Sequence, residues 1–370
     1  MDAEKKRMSK AESPIDVLLY TGSFEVRGTS AYTLRLAQYA PEYGIQTRVI
    51  CPDASRVDPS MRLKLDISEY RNLNIPLLGP FILRLVKQEL LKKLPDLIHI
   101  QSRHVLPQGQ WLARKIKRPF ILTVNDYLQS DEKLRVDMNW CKGIITVSES
   151  VKKDLIARTG LPEELVLVIP SGVDVPDHST LAPVLSQDHQ PVVGTAGPLE
   201  AIKGLPYFLG AASRVLAVNP NVQFLVSGAG PEESNLRHLA RDLEISEHVT
   251  FVPNLYDFAI SLQAMDIFCL ASLRQGLGTT MLEAMALAKP VIATGVGGIY
   301  SVIRDGETGL VIPPSNSEAL ASSILKLLED PLKARAMGES ARELVRREFR
   351  ATTMVERTVE QYKLALQVAS

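Results

Sequence analysis

Along the chain, short apolar runs rich in Val and Ile alternate with stretches whose apolar residues recur at helical spacing. The first set of runs reads as strands at 15–20, 46–51, 97–101, 119–124, 143–147 and 165–169. A second set follows at 191–196, 222–227, 249–252, 266–270, 290–294 and 309–312. These runs are apolar throughout rather than alternating, the mark of strands buried on both faces, as in parallel sheets. Between them, Leu205, Phe208, Leu209, Ala212, Val215 and Leu216 share one helical face, as do Leu236, Leu239, Ala240 and Leu243. Strand–helix alternation from end to end predicts a doubly wound α/β architecture.

The alternation breaks once. Residues 175–190 are rich in Pro, Ser, Asp and His and carry no period, so the linker between two domains is expected there. The expected layout is a disordered tail at 1–13, a Rossmann-like domain at 14–174 and a second at 191–350. A closing helix at 351–370 completes it. Each half then holds about six strands, enough for a Rossmann-like sheet. The length of 370 residues agrees with two domains.

Charge and composition narrow the function. Lys+Arg and Asp+Glu both total 42, so no whole-molecule field draws in nucleic acid or anionic lipid, and no nucleic-acid partner is expected. Cys51, Cys141 and Cys269 lie far apart and form neither a disulfide framework nor a metal-ligand cluster, which fits a reducing cytoplasm. Residues 1–13 lack the apolar segment of a signal peptide, and no apolar run is long enough to span a bilayer. Residues 81–94 form a basic amphipathic stretch with Arg84, Lys87, Lys92 and Lys93. It reads either as an ordinary surface helix or as a weak peripheral contact at the inner face of a membrane.

Four Gly-bearing loops follow strands and precede helices, where free N–H groups meet anions. They are Glu25–Ser30, Gly197–Gly204, Ser227–Pro231 and the segment from Ser272 onward. In the second, Lys203 opposes the dipole at a helix start, which an anion would explain as readily as solvation would. In the fourth, Gly276-Leu277-Gly278 runs straight into Thr279-Thr280 and an apolar helix with one acid, Glu283. A lone acid among Met, Leu and Ala needs a partner when buried, and ribose hydroxyls would supply two donors. Capping of the helix's own first turn is the alternative.

That segment resembles the signature of the family 4 retaining glycosyltransferases, which share the two-domain GT-B fold. The signature stands here as Gln275-Gly276-Leu277-Gly278, Leu282-Glu283-Ala284-Met285-Ala286, Pro290-Val291-Ile292-Ala293 and Gly297-Gly298. Further landmarks match in order: Val147–Ser150, Ile169–Asp174, Lys203-Gly204, Gly228–Glu232 and Asp305–Gly309. The resemblance implies two Rossmann-like domains facing a cleft that holds a nucleotide-sugar donor. It implies transfer of a hexosyl-type sugar to an acceptor hydroxyl with retention of configuration. The acceptor would be a carbohydrate, a lipid-linked molecule or a small molecule. With no Asp-x-Asp in the chain, a metal-independent site without a cofactor is expected.

By the same resemblance Lys203 would neutralise the diphosphate, Glu283 would hold the ribose, and Gln275 would contact the sugar hydroxyls. Gly197, Gly228, Arg274, Gly276, Leu277, Gly278 and Thr279 would complete the donor site. Asn125 and Asp126 would stand with Lys203 and Gln275 at the chemistry, and Gly28 would let the N-terminal loop approach the ligand; beside it, the residues themselves offer Arg27, Thr29 and His104 as candidates on the acceptor side. Three positions differ from the family's usual pattern: Gln275 for Glu, Pro198 for Arg and Asn125 for His. Arg274 and Arg27 are candidates for the positive charge lost at Pro198. A pseudoenzyme of the same fold, binding nucleotide or a partner transferase without turnover, is the alternative function.

Overall fold

The computed structural model describes residues 14–254 and 256–367; the tail expected at 1–13 lies outside them. The N-terminal domain is a seven-stranded sheet of order β3-β2-β1-β4-β5-β6-β7. Its strands are β1 (Ile15–Tyr20), β2 (Ile45–Cys51), β3 (Ile67–Glu69), β4 (Leu97–Ile100), β5 (Phe120–Val124), β6 (Cys141–Thr146) and β7 (Val166–Val168). The C-terminal domain is a six-stranded sheet of order β10-β9-β8-β11-β12-β13. It comprises β8 (Val192–Ala196), β9 (Gln223–Ser227), β10 (Val249–Val252), β11 (Ile267–Leu270), β12 (Val291–Thr294) and β13 (Leu310–Ile312). Every named pairing is parallel. The central strands β4, β5, β11 and β12 are buried along their whole length, which is why their sequence does not alternate.

Helices cover the sheets. The N-terminal domain carries α1 (Gly28–Tyr39), α2 (Pro59–Lys64), α3 (Gly79–Leu90), α4 (Leu106–Ile116) and α5 (Glu149–Thr159). The C-terminal domain carries α6 (Leu205–Val218), α7 (Glu233–Asp242), α8 (Ala259–Gln263), α9 (Thr279–Ala286), α10 (Ser317–Glu329) and α11 (Pro331–Glu348). The last helix, α12 (Ala351–Gln367), returns to the first domain. Its stripe of Met354, Val355, Val359, Tyr362 and Ala365 is buried with Val17, Leu19, Leu36 and Ile121. Full burial of a large apolar side chain contributes about 1.5–3 kcal/mol, so this stripe fastens the chain end firmly. His99 of β4 completes the joint: its ring nitrogens lie 2.6 Å from Tyr362 Oη and 2.7 Å from Thr123 Oγ1.

Two details differ from the sequence reading. The N-terminal sheet gains β3, a three-residue edge strand whose residues are all half-buried, too short and too polar to stand out. The segment 175–190 is a linker only in its first half. Val184 and Leu185 are buried in the C-terminal core, and the buried Asp266 accepts hydrogen bonds from the N–H groups of Leu185 (2.7 Å) and Val192 (2.9 Å).

Candidate active site

The order of strands locates the site. In each sheet the chain reverses its direction of travel between two neighbours, β1 and β4 in the first and β8 and β11 in the second. Loops leaving the carboxyl ends there diverge, and the gap between them takes ligands. One cleft is lined from both domains: Arg27, Gly28 and Thr29 after β1, Asn125 and Asp126 after β5, Gly197, Pro198 and Lys203 after β8, and Gln275 through Thr280 after β11. It encloses about 990 Å³, part of it open to solvent. Most of the residues that the sequence singled out thus converge, although Gln275 and Asn125 lie 150 positions apart.

The domains touch across this cleft, and glycine makes the approach possible. A Cβ on Gly28 would lie 2.7 Å from Thr279 Oγ1, and one on Gly276 would lie 2.6 Å from the Asn125 carbonyl oxygen. Ser148 Oγ donates to the Gly276 carbonyl at 2.7 Å, fixing the same junction.

The cleft is polar and cationic at its floor. Lys203 Nζ donates to Gln275 Oε1 at 3.1 Å, and Ser272 Oγ donates to that oxygen at 3.2 Å. Burial pulls the Lys203 ammonium below the ordinary lysine value, while Asp126 and Glu200 work the other way. Helix α9 starts at Gly278 without a side-chain cap, so its first N–H groups face the cleft unsatisfied by side chains. Helix α1, starting after Arg27, is likewise uncapped by a side chain. A half-buried ammonium and two helix starts without side-chain caps make an anion-binding floor. Among the described residues, no group of three His, Cys, Asp or Glu side chains could hold a metal ion.

Glu283 lies one turn into α9 and lines a second lobe rather than the main cleft. This lobe shares Arg27, Gly28 and Thr280 with the cleft and adds Arg35, Asp174, Tyr256 and Phe258. The partner of the lone acid is Arg35 of α1, whose Nη2 stands 2.7 Å from Glu283 Oε1. Arg35 also donates to Asp174 Oδ2 at 2.9 Å and to the Gly172 carbonyl at 3.2 Å. Burial disfavours its charge, but Glu283 and Asp174 outweigh that and hold the guanidinium above its ordinary value. The sequence did not single out Arg35. Its one signal is a charged residue beside the buried face of Tyr32, Thr33, Leu36 and Ala37. A third lobe joins Arg27, Pro198 and Glu200 to Gly228, Asn254 and Phe258.

Several expected residues stand elsewhere. Arg274 does not line the cleft: it stacks 4.4 Å from the Tyr127 ring centroid and donates to the Leu128 carbonyl at 3.0 Å. The N-terminal domain takes its charge, so it does not replace the cation missing at Pro198. His104 is exposed in a short 3-10 turn and lines none of the three lobes. Its neighbour Arg103 is bound to Glu132 at 2.8 Å and is spoken for. Gly228 lies in the third lobe rather than the main cleft. Asn125 lines the cleft but turns its amide to the Gln101 carbonyl at 3.1 Å.

Comparison with known proteins agrees with this geometry. Residues 26–176 match the family model described as Glycosyltransferase Family 4, and residues 180–344 match the model Glycosyl transferases group 1. A GDP-mannose-dependent monoacylated alpha-(1-6)-phosphatidylinositol monomannoside mannosyltransferase of Corynebacterium glutamicum is 34% identical over 207 residues. The match spans 51% of this chain and about half (54%) of that protein. A phosphatidyl-myo-inositol mannosyltransferase of Mycobacterium leprae is 28% identical over 349 residues, 88% of this chain and 90% of that one. Among solved structures, Anabaena HepE in complex with UDP and glucose superposes with a TM-score of 0.77 at 20% identity, covering 94% of this chain and 99% of its own. Sucrose-phosphate synthase from Thermosynechococcus elongatus gives 0.77 at 20%, covering 96% and 100%.

Proposed function

Because the chain belongs to the group 1 glycosyl transferases of glycosyltransferase family 4, we propose that it moves a hexosyl-type sugar from a nucleoside-diphosphate sugar to an acceptor hydroxyl, with retention of configuration and without a metal ion. The observation that carries this reading is Lys203, a half-buried ammonium whose direct side-chain partner is the neutral amide of Gln275. A cation drawn partly out of water without a directly paired counter-charge is unfavourable by itself and is relieved by an anion. A phosphate about 4 Å away gains on the order of 4 kcal/mol at an effective dielectric of about 20. HepE, with the same fold, holds UDP and glucose.

In this reading the sugar lies against Gln275 and the Gly276–Thr280 loop, with the diphosphate over Lys203 and the start of α9. The nucleoside extends into the lobes of Glu283, Tyr256 and Phe258, where aromatic faces suit a base and the carboxylate accepts from ribose hydroxyls. In the reaction the bond from the anomeric carbon to the phosphate oxygen breaks, and its electron pair stays on the phosphate. Lys203 and the helix start stabilise that charge as it develops. The acceptor oxygen attacks on the face the phosphate leaves, and its proton passes to the departing phosphate oxygen. The acceptor enters past Thr29, Asn125 and Asp126, on the N-terminal side.

The decisive experiment incubates the protein with UDP-, GDP- and ADP-sugars and follows thermal stabilisation and slow donor hydrolysis. One donor should stabilise and turn over, and Lys203→Gln should abolish both. Stabilisation without turnover across a broad acceptor panel would indicate a binding protein instead.

The acceptor side also supports a peripheral membrane contact. Helix α3 and the turn before it expose Leu77 (91%), Phe81 (61%) and Leu85 (46%) on the surface that carries Arg84 and Lys92. The mannosyltransferases from Corynebacterium and Mycobacterium are named for phosphatidylinositol-type acceptors. Among the described residues, no helix is long and apolar enough to cross a membrane.

A further inference from the structure

The geometry points to Arg27 as the second cation for the donor diphosphate, carried into the site by the N-terminal domain. This rests on the reading that a nucleoside-diphosphate sugar occupies the cleft, and goes beyond it by assigning a residue no comparison assigns. Three observations carry it.

The first is position. Arg27 lines the main cleft, the lobe of Glu283 and the lobe of Asn254 alike. It therefore stands where the sugar end of the cavity meets the nucleoside end. In a nucleoside-diphosphate sugar, the group at that junction is the diphosphate.

The second is charge. Among the described residues lining the main cleft, Arg27 and Lys203 are the cationic side chains, against Asp126 and Glu200. The C-terminal wall of two of the same lobes includes Pro198, which offers neither a charge nor an N–H, and the C-terminal partner of Arg27 is the carboxylate of Glu200. Two negative phosphates thus meet one half-buried ammonium from the C-terminal domain and, from the other side, one guanidinium. The planar fork of an arginine suits two phosphate oxygens.

The third is availability. Arg27 pairs with Glu25 at 2.6 Å and with Glu200 at 3.2 Å, and the two carboxylates are 54% and 37% exposed. Ion pairs this open to water are weak and readily exchanged for a better partner. A diphosphate held between Arg27 and Lys203 is that partner. Arg27 belongs to the N-terminal domain and Lys203 to the other, so the leaving group is fully neutralised only when the domains are together.

The test uses the full chain and four variants: Arg27→Gln, Arg27→Lys, Lys203→Gln, and Arg27→Gln combined with Pro198→Arg. UDP, GDP and ADP are titrated by calorimetry, along with the corresponding nucleoside monophosphates. Arg27→Gln should weaken the preferred diphosphate 10- to 100-fold and its monophosphate far less, and Arg27→Lys should fall between. Arginine placed at 198 should recover most of the loss, a rescue that a merely structural role for Arg27 would not show. Unchanged diphosphate affinity in Arg27→Gln, with Lys203→Gln impaired, overturns the assignment and leaves the cleft reading standing. If the wild type binds none of the three diphosphates, or Lys203→Gln binds them as the wild type does, the cleft reading falls and this inference with it.

Discussion

Arg35 of α1 and Glu283 of α9 meet at 2.7 Å across the interface of the two domains, with side chains only 12% and 20% exposed. The same guanidinium holds Asp174 and the Gly172 carbonyl, next to the point where the chain leaves the first domain. Arg35 therefore fixes the carboxylate assigned to the ribose and does so from the opposite domain. Removal of the cation leaves Glu283 charged, partly buried and free to swing.

The first prediction follows from that pair. Glu283→Ala should weaken nucleotide binding about tenfold or more, since hydrogen bonds to a charged acceptor contribute about 1.5–3 kcal/mol. Arg35→Gln should weaken it less and should erase much of the preference for a ribo- over a 2′-deoxyribonucleotide. A double-mutant cycle read by calorimetry should give a coupling of about 1–3 kcal/mol. Additive effects of the two substitutions would show that Arg35 does not act through Glu283.

Gln275→Glu probes the floor of the cleft. The new carboxylate would take the place of an amide oxygen 3.1 Å from Lys203 Nζ and neutralise the ammonium directly. Diphosphate affinity should drop several-fold, because the anion then competes with a built-in counter-charge. Equal or tighter diphosphate binding in a calorimetric titration would contradict the role given to Lys203.

Gly28→Ala tests domain contact. The added Cβ would sit 2.7 Å from Thr279 Oγ1 and 2.8 Å from Thr279 Cβ, closer than a Cβ comes to atoms it is not bonded to, so one side must shift. The domains should be held apart, so donor hydrolysis should fall at least tenfold while the melting temperature changes little. Small-angle scattering should show a larger radius of gyration than the wild type in the presence of donor. Wild-type turnover in this variant would mean that the chemistry does not need the contact.

These relationships differ in how far the sequence announces them. The sheets are legible because strands such as Leu97–Ile100 and Val291–Thr294 are apolar on both sides, which a parallel sheet requires. The glycine loops and Lys203 are legible because helix starts after strands have a characteristic composition. Arg35 is not, because its partner lies 248 positions away and only the domain arrangement joins them. Arg274 reads as a cation beside Gln275, yet its direction is set by Tyr127 and Leu128 in a loop without period. Residue type therefore marks candidates, while the meeting of two domains decides which of them face the ligand.

Acid should loosen the chain's last helix through His99. Burial pushes this imidazole down to about 3, so it stays neutral in the folded protein between Tyr362 and Thr123. Its ordinary value is near 6.5, so the unfolded chain binds the extra proton between those limits. Stability is complete above pH 6.5 and is lost as pH falls, by about 1.4 kcal/mol per unit. Between pH 7.5 and 5 this one group should cost about 2 kcal/mol. Denaturant titrations of His99→Gln at both values should show that much less pH dependence than the wild type. Identical slopes would place the acid sensitivity in other groups.

The exposed face of α3 and its preceding turn makes the last prediction. Leu77, Leu78, Phe81, Leu85 and Leu91 stand in solvent in a molecule with ample core to hide them. Between residues 71 and 94 the chain carries Arg71, Arg84, Lys87, Lys92 and Lys93 against the acids Glu89 and, near its end, Asp96 just beyond. Arg71 pairs with Glu69 and Lys93 with Asp16, while Arg84, Lys87 and Lys92 outnumber Glu89, so the local balance stays basic although the whole chain is neutral. Apolar side chains interleaved with cations fit an anionic bilayer, where each buried side chain adds apolar area and each cation adds about 1 kcal/mol. The full chain should co-float with vesicles containing phosphatidylglycerol, less with pure phosphatidylcholine, and less still as salt rises. Leu77→Ser with Phe81→Ser should abolish flotation while leaving nucleotide binding unchanged. A dimer in solution that the same pair of substitutions dissolves, with no flotation at any lipid composition, would assign this face to a second copy of the chain instead.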